Sequence, residues 1–164
     1  MGTGIAAWEL LIGSWSSSGR TVDGVAVEGS DVYEWLPGEQ FVIHRVDVRM
    51  GGEQVDVLEV IGEPDGDGFL MRSFDNTGGT AVMRATVDGA GVWTCAGPTE
   101  RATLVVAPDG ESMSARWERA RDGTWEHWMD MEFRRTHGRA RWLQSSQSPR
   151  SLRGPQPVRV QRSS

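Results

Sequence analysis

The chain has 164 residues, a formal charge of −6 and an apolar fraction of 38%, which suits one domain whose sheets keep a solvated face. All 17 basic residues are Arg, so lysine Schiff-base chemistry is excluded, and the single cysteine, Cys95, excludes an intramolecular disulfide and any CxxC metal or redox site. Charge is unevenly spread: residues 1–138 carry 11 Arg against 23 acids, a net of −12, whereas residues 139–164 carry six Arg and no acid. The acidic part is a poor nucleic-acid binder.

The N-terminus, MGTGIAAWELLIGSW, has no basic leader and carries Glu9 inside a short apolar run. It therefore reads as neither a signal peptide nor a membrane span, and the cytoplasm is the expected compartment. Within residues 3–12, Ile5, Trp8, Leu11 and Ile12 recur at spacings that predict a short amphipathic helix ending at Gly13. GTGIAA imitates a dinucleotide fingerprint, but no strand precedes it and no βαβ unit follows.

From there to Arg135 the chain reads as strand and turn. Turn signals at Asp23-Gly24, Pro37-Gly38, Gly51-Gly52, Asp65 to Gly68, Asn76 to Gly79, Asp88 to Gly91, Gly97-Pro98, Pro108 to Gly110 and Asp122-Gly123 separate ten segments. These are strands near 14–22, 25–36, 40–50, 53–62, 68–75, 80–88, 92–97, 100–106, 111–119 and 124–135. Short connections make neighbours antiparallel, and ten twisted strands in a row remove their exposed edges by closing. The expected fold is all-β: an antiparallel up-and-down barrel over residues 1–138, plugged by the N-terminal helix and roomy enough for a cavity. Residues 139–164, rich in Ser, Pro, Gln and Arg without periodicity, read as a disordered basic tail.

Period-two alternation assigns inner faces. Val25, Val27, Tyr33 and Trp35 share a phase in the second strand; Val42, His44, Val46 and Val48 in the third; Ala81, Met83, Ala85 and Val87 in the sixth; Met113, Ala115 and Trp117 in the ninth. The tenth alternates Trp125, His127, Met129, Met131 and Phe133 against Glu126, Trp128, Asp130, Glu132 and Arg134. Strands four and five have mixed phases, as a bulge would produce.

His44 and His127 are thus expected to point inward, each neutral near pH 7 because burial opposes the imidazolium. They are the candidate catalytic residues. Eight Trp against one Tyr and four Phe suggest rings that line a cavity or close its ends. Trp15, Tyr33, Trp35, Met83, Trp117, Trp125 and Met129 are the candidate ligand contacts. Acids fall in turns or on the polar phase, so no inward carboxylate pair is expected. No GxSxG, HExxH, P-loop or EF-hand sequence occurs, PDGDG at 64–68 reads as a hairpin turn, and Cys95 reads as an inert buried thiol.

LIGSWSSSG at 11–19, YEWLPGEQFVIH at 33–44, FDNTGG at 74–79 and DGESMSARWERARDGTWEHWMDMEFRR at 109–135 together resemble a bacterial family of lipocalin-like proteins of unknown function. That resemblance implies a calycin-type barrel. Gly13-Ser14-Trp15 and HWMDMEFR at 127–134 are more distantly similar to the ends of the nitrobindins, ten-stranded barrels that bind haem through a closing-strand histidine and are associated with nitric oxide and peroxynitrite chemistry. Ser16 to Ser18 depart from their glycine-rich continuation. This likeness would make His127 the axial ligand.

The expected function is binding of a small, largely apolar or aromatic molecule in the barrel, with His44, His127 and Tyr33 orienting it and no cofactor. Two alternatives are a cyclase or isomerase with an inward histidine as general base, and haem binding through His127. Neither nucleic acid nor membrane is an expected partner; a second copy of the chain is an admitted one.

Overall fold

A computed structural model describes residues 4–137. The tail expected over residues 139–164 lies outside the described residues. A short 3-10 helix, η1 (Ile5–Leu10), precedes ten strands: β1 (Gly13–Thr21), β2 (Ala26–Trp35), β3 (Val42–Met50), β4 (Glu53–Asp65), β5 (Gly68–Asp75), β6 (Thr80–Val87), β7 (Val92–Ala96), β8 (Glu100–Val106), β9 (Ser112–Arg121) and β10 (Thr124–Thr136). Each strand pairs antiparallel with its sequence neighbours, and β1 pairs with β10 from Ser14 opposite Thr136 to Thr21 opposite Met129. The sheet is a closed up-and-down barrel, as the turn spacing predicts, and closure leaves no unpaired edge.

Two devices shape it. Gly29 faces inward on β2 opposite Val48 of β3, where an added Cβ would sit 2.6 Å from the Val48 Cα, so the strands approach more closely than any side chain allows. Bulges then reset the alternation. In β4 the register slips between Ile61 and Glu63 at Gly62, whose φ is +140°, which accounts for the mixed phases of that strand.

In β10 the slip falls between His127 and Met129. The extra residue, Trp128, turns inward to meet Trp117 edge-on at 6.3 Å, while Trp125 and His127 are left on the outer face with Arg101 and Glu118. The expectation that Trp125 and His127 share the inner row of Met129, Met131 and Phe133 is corrected: one inserted residue inverts every side chain before it.

Burial of the inner face is complete at the helix end and uneven at the other. At the helix end Trp8, Leu11, Trp15, Val42, Ile61, Ala85, Trp93 and Met113 are fully buried. Trp8 lies against Trp93 with ring centroids 4.5 Å apart, and Trp15 Nε1 donates to the Leu11 carbonyl at 2.9 Å. Arg135 fastens this plug: it stacks on Trp15 at 4.1 Å and donates to the carbonyls of Ile12, Leu10 and Gly110 at 2.7, 3.0 and 3.0 Å. At the opposite end inward-phase residues of successive strands, among them Val46, Val57, Ser73, Met83 and Trp117, are only half-buried, and Ala81 is exposed. The helix closes one end of this cup; at the other, Thr21, Val27, Val48 and Met129 are buried, and the accessible inner wall is the side that carries Val46, Val57, Ser73, Met83 and Trp117.

Candidate functional site

The floor of the cup is polar. His44 of β3 lies directly opposite Tyr33 of β2 on one side and Glu59 of β4 on the other. Such cross-strand neighbours share a face and touch. Asp31 and Tyr33 are two apart on β2, so Asp31 also points inward, and Ser17 of β1 reaches it from across the Gly29 position.

The connections form a chain. His44 Nδ1 donates to Glu59 Oε1 at 2.9 Å, and His44 Nε2 donates to Asp31 Oδ1 at 2.8 Å. The Ser17 hydroxyl donates to Asp31 Oδ2. The Tyr33 ring lies flat on the imidazole, with centroids 3.9 Å apart and planes within 7°. Exposures of 5% for Asp31, 7% for Glu59 and 9% for His44 place the charged groups deep, yet not sealed off.

Burial strongly disfavours the imidazolium, but the hydrogen bonds that it donates to Asp31 and Glu59, reinforced by their charges, outweigh it and hold the His44 pKa at about 9. His44 is thus protonated at pH 7, with both nitrogens donating. This corrects the expectation of a neutral imidazole, which took account of burial but not of two carboxylates against the ring. Tyr33 is pushed well above its usual pKa by burial and then by Asp31, Glu59 and Cys95, so it is a neutral phenol. Burial, with the Glu59 charge, pushes the Cys95 thiol up to about 12, in keeping with an inert cysteine.

Two polar atoms of the floor remain open. Among the described residues neither Tyr33 Oη nor Glu59 Oε2 has a hydrogen-bond partner, and neither belongs to the fully buried unsatisfied side-chain atoms, which are Trp8 Nε1 and His127 Nε2. Each therefore keeps some exposure.

The sequence-predicted residues distribute unevenly around this site. His44 and Tyr33 form its centre, Met83 and Trp117 its half-open wall, and Met129 lies buried opposite Trp117. Trp15 and Trp35 belong to the helix closure instead, Trp35 Nε1 donating to Glu9 Oε2 at 2.9 Å. Trp125 lies outside, beneath Arg101 at 4.6 Å. His127 is separated from His44. Its Nε2 sits 3.0 Å from Asp130 Oδ2 without hydrogen-bond geometry, beside a surface cleft of about 320 Å³ that includes Asp23, Arg119 and Arg121.

Asp31, Glu59 and Ser17 were not anticipated, and the expectation of no inward carboxylate pair is corrected. The signal was present: Asp31 is in phase with Val27, Tyr33 and Trp35, and Glu59 with Val55, Val57 and Ile61. Alternation is obscured in β4 because Leu58 and Val60, on the outer face, are apolar as well.

No arrangement of three or more His, Cys, Asp or Glu among the described residues suits a metal ion, since the floor groups are turned toward one another. Both His44 nitrogens are bonded to carboxylates, whereas His127 Nε2 is buried without a hydrogen-bond partner, 3.0 Å from Asp130 Oδ2. No helix among the described residues is long and apolar enough to cross a membrane.

Neither a family model nor a curated protein matches the chain. Solved structures do. A de novo designed fluorescence-activating β-barrel is 18% identical over 82% of this chain and 100% of its own, with a TM-score of 0.49. A redesigned barrel, mFAP0, bound to DFHBI is 9% identical over 77% of this chain and 99% of its own, TM-score 0.46. A third barrel, EF1p2_mFAP2b bound to DFHBI, is 13% identical over 82% of this chain and 100% of its own, TM-score 0.44. The dye is a property of those two structures.

Proposed function

We propose that this protein binds a small, largely apolar molecule inside the barrel, entering at the end opposite the helix and resting on the floor formed by Tyr33, His44 and Glu59. The observation that carries this reading is the inner face beyond the helix closure: a polar floor with two hydrogen-bonding atoms left unpartnered, beside a half-exposed wall of Val46, Val57, Met83 and Trp117. Ligand sites combine these parts, an apolar concavity and a few convergent polar groups. The lumen ligand contacts are Tyr33, Met83, Trp117 and Glu59; Trp15 and Trp35 shape the closed end.

A differential scanning measurement over a broad set of apolar and aromatic compounds tests this. A compound at 100 times its dissociation constant stabilises the protein by about 2.7 kcal/mol. Filling the wall with Met83→Trp is expected to remove that response, and a response that survives Met83→Trp would move the site out of the lumen.

A catalytic reading is favoured by one observation, the Glu59 carboxylate that keeps one oxygen open while His44 grips the other. In that reading Glu59, rather than the protonated His44, is the base of a cyclase or isomerase, and Tyr33 donates or holds a proton. His44 is then a positioning residue.

A further inference from the structure

The floor of the cup holds more acids than bases. Two acidic side chains, Asp31 and Glu59, flank one imidazole, His44, at 2.8 and 2.9 Å in a site that is about nine-tenths buried. Excess charge in such a place is costly unless a counter-charge or donors reach it. Asp31 is satisfied on both oxygens, by His44 and by Ser17. Glu59 is satisfied on one; its second oxygen has no partner, and neither has the Tyr33 hydroxyl on the other side of His44.

Resting on the lumen-binding reading above, we propose that the ligand is an organic cation: a primary or secondary ammonium group carried on a flat apolar body. The ammonium donates to Glu59 Oε2, with Tyr33 Oη as acceptor for a second N–H, and the body lies against Met83 and Trp117.

Independent features agree with this assignment. Glu59 and Cys95, on strands three apart, lie close enough across the barrel for the carboxylate to add to the burial that raises the thiol. The inward-phase cation at the mouth, Arg119, does not supply the missing counter-charge, because it pairs with Glu100 at 3.1 Å and stacks on Trp128. The excess of acids over Arg in residues 1–138 attracts cations to the protein and repels carboxylate-bearing analogues. A charge-assisted hydrogen bond in this surrounding is stronger than a neutral one, so the cation is distinguished from its uncharged isostere as well as from anions.

The test uses three probes of one shape, naphthylmethylamine, naphthylmethanol and naphthoate, titrated calorimetrically into the full-length chain at pH 7. The amine is expected to bind at least tenfold tighter than the alcohol, and naphthoate weakest. In Glu59→Gln the amine is expected to fall to the affinity of the alcohol, whose own affinity changes less than threefold; Tyr33→Phe weakens the amine several-fold while keeping its rank first. Circular dichroism checks that both variants fold, and the ranking in the unaltered chain decides the matter if Glu59→Gln does not. Equal binding of amine and alcohol, tightest binding of naphthoate, or an amine preference that survives Glu59→Gln would overturn the cation assignment. In those cases lumen binding still stands if Met83→Trp abolishes it. No binding of any of the three overturns both readings together.

Discussion

Removing the imidazole from between Asp31 and Glu59 tests the electrostatic core of the site. In the folded chain the His44 pKa stands at about 9 against an ordinary 6.5. That difference corresponds to about 3 kcal/mol of preferential binding of the proton by the folded state. A raised pKa stabilises wherever the histidine is already protonated in the unfolded chain, so the contribution is complete below pH 6.5. It drains away as pH rises to 9 and is gone above that. Urea unfolding at pH 6.5 and at pH 9.5 is therefore expected to show the native chain losing about 3 kcal/mol, apart from what other groups contribute. His44→Gln supplies the reference, since it keeps every other titrating group, including His127, His137, Tyr33 and Cys95. The variant begins less stable at pH 6.5, by about 3–5 kcal/mol, because two buried carboxylates lose their counter-charge. Its stability then falls much less over the same interval, so the two curves converge with rising pH. Parallel curves for native chain and variant would refute the charged triad, and a native chain that gains stability between pH 6.5 and 9.5 would reverse its sign.

Further outcomes follow from individual contacts. Ser17→Ala leaves Asp31 Oδ2 without its donor and is expected to cost about 1–3 kcal/mol in urea unfolding. Gly29→Ala drives a methyl into the β3 backbone and is expected to abolish cooperative folding or lower stability by several kcal/mol, read by circular dichroism on heating. Trp8→Ala empties the plug beside Trp93 and is expected to cost about 3–5 kcal/mol. His127→Ala, on the outer face, is expected to change stability by less than about 1 kcal/mol and to leave lumen binding unaltered.

Much of the architecture was legible because turns announce themselves. Asp-Gly, Asn-x-Gly and Gly-Gly pairs break the chain into segments short enough that only antiparallel neighbours fit, and the number of strands then implies closure. Faces were legible wherever a strand alternates cleanly, as Val42, His44, Val46 and Val48 do opposite Arg45, Asp47 and Arg49. They were not legible where a bulge intervenes, because period two carries no marker of an inserted residue. WEHWMDMEF reads as one uninterrupted row, and nothing local shows that Trp128 is the extra residue. The site was half legible for a different reason. Asp31 and Glu59 lie on inward phases, but a lone acid in an apolar row reads as an interruption until the fold brings a histidine between the two. His44 forms both bonds across strands, at separations of 13 and 15 residues, and its charge state depends on that assembly.

The central claim, a small molecule held inside the barrel on a polar floor, is tested most directly by methyl and aromatic NMR of the full chain during titration with naphthylmethanol. Shifts are predicted for the inward groups Val46, Val57, Met83 and Tyr33, with Leu58, Val60 and Val82 of the outer face unmoved. Shifts confined to Leu58, Val60 and Val82, or a spectrum unchanged at saturating probe, would contradict it.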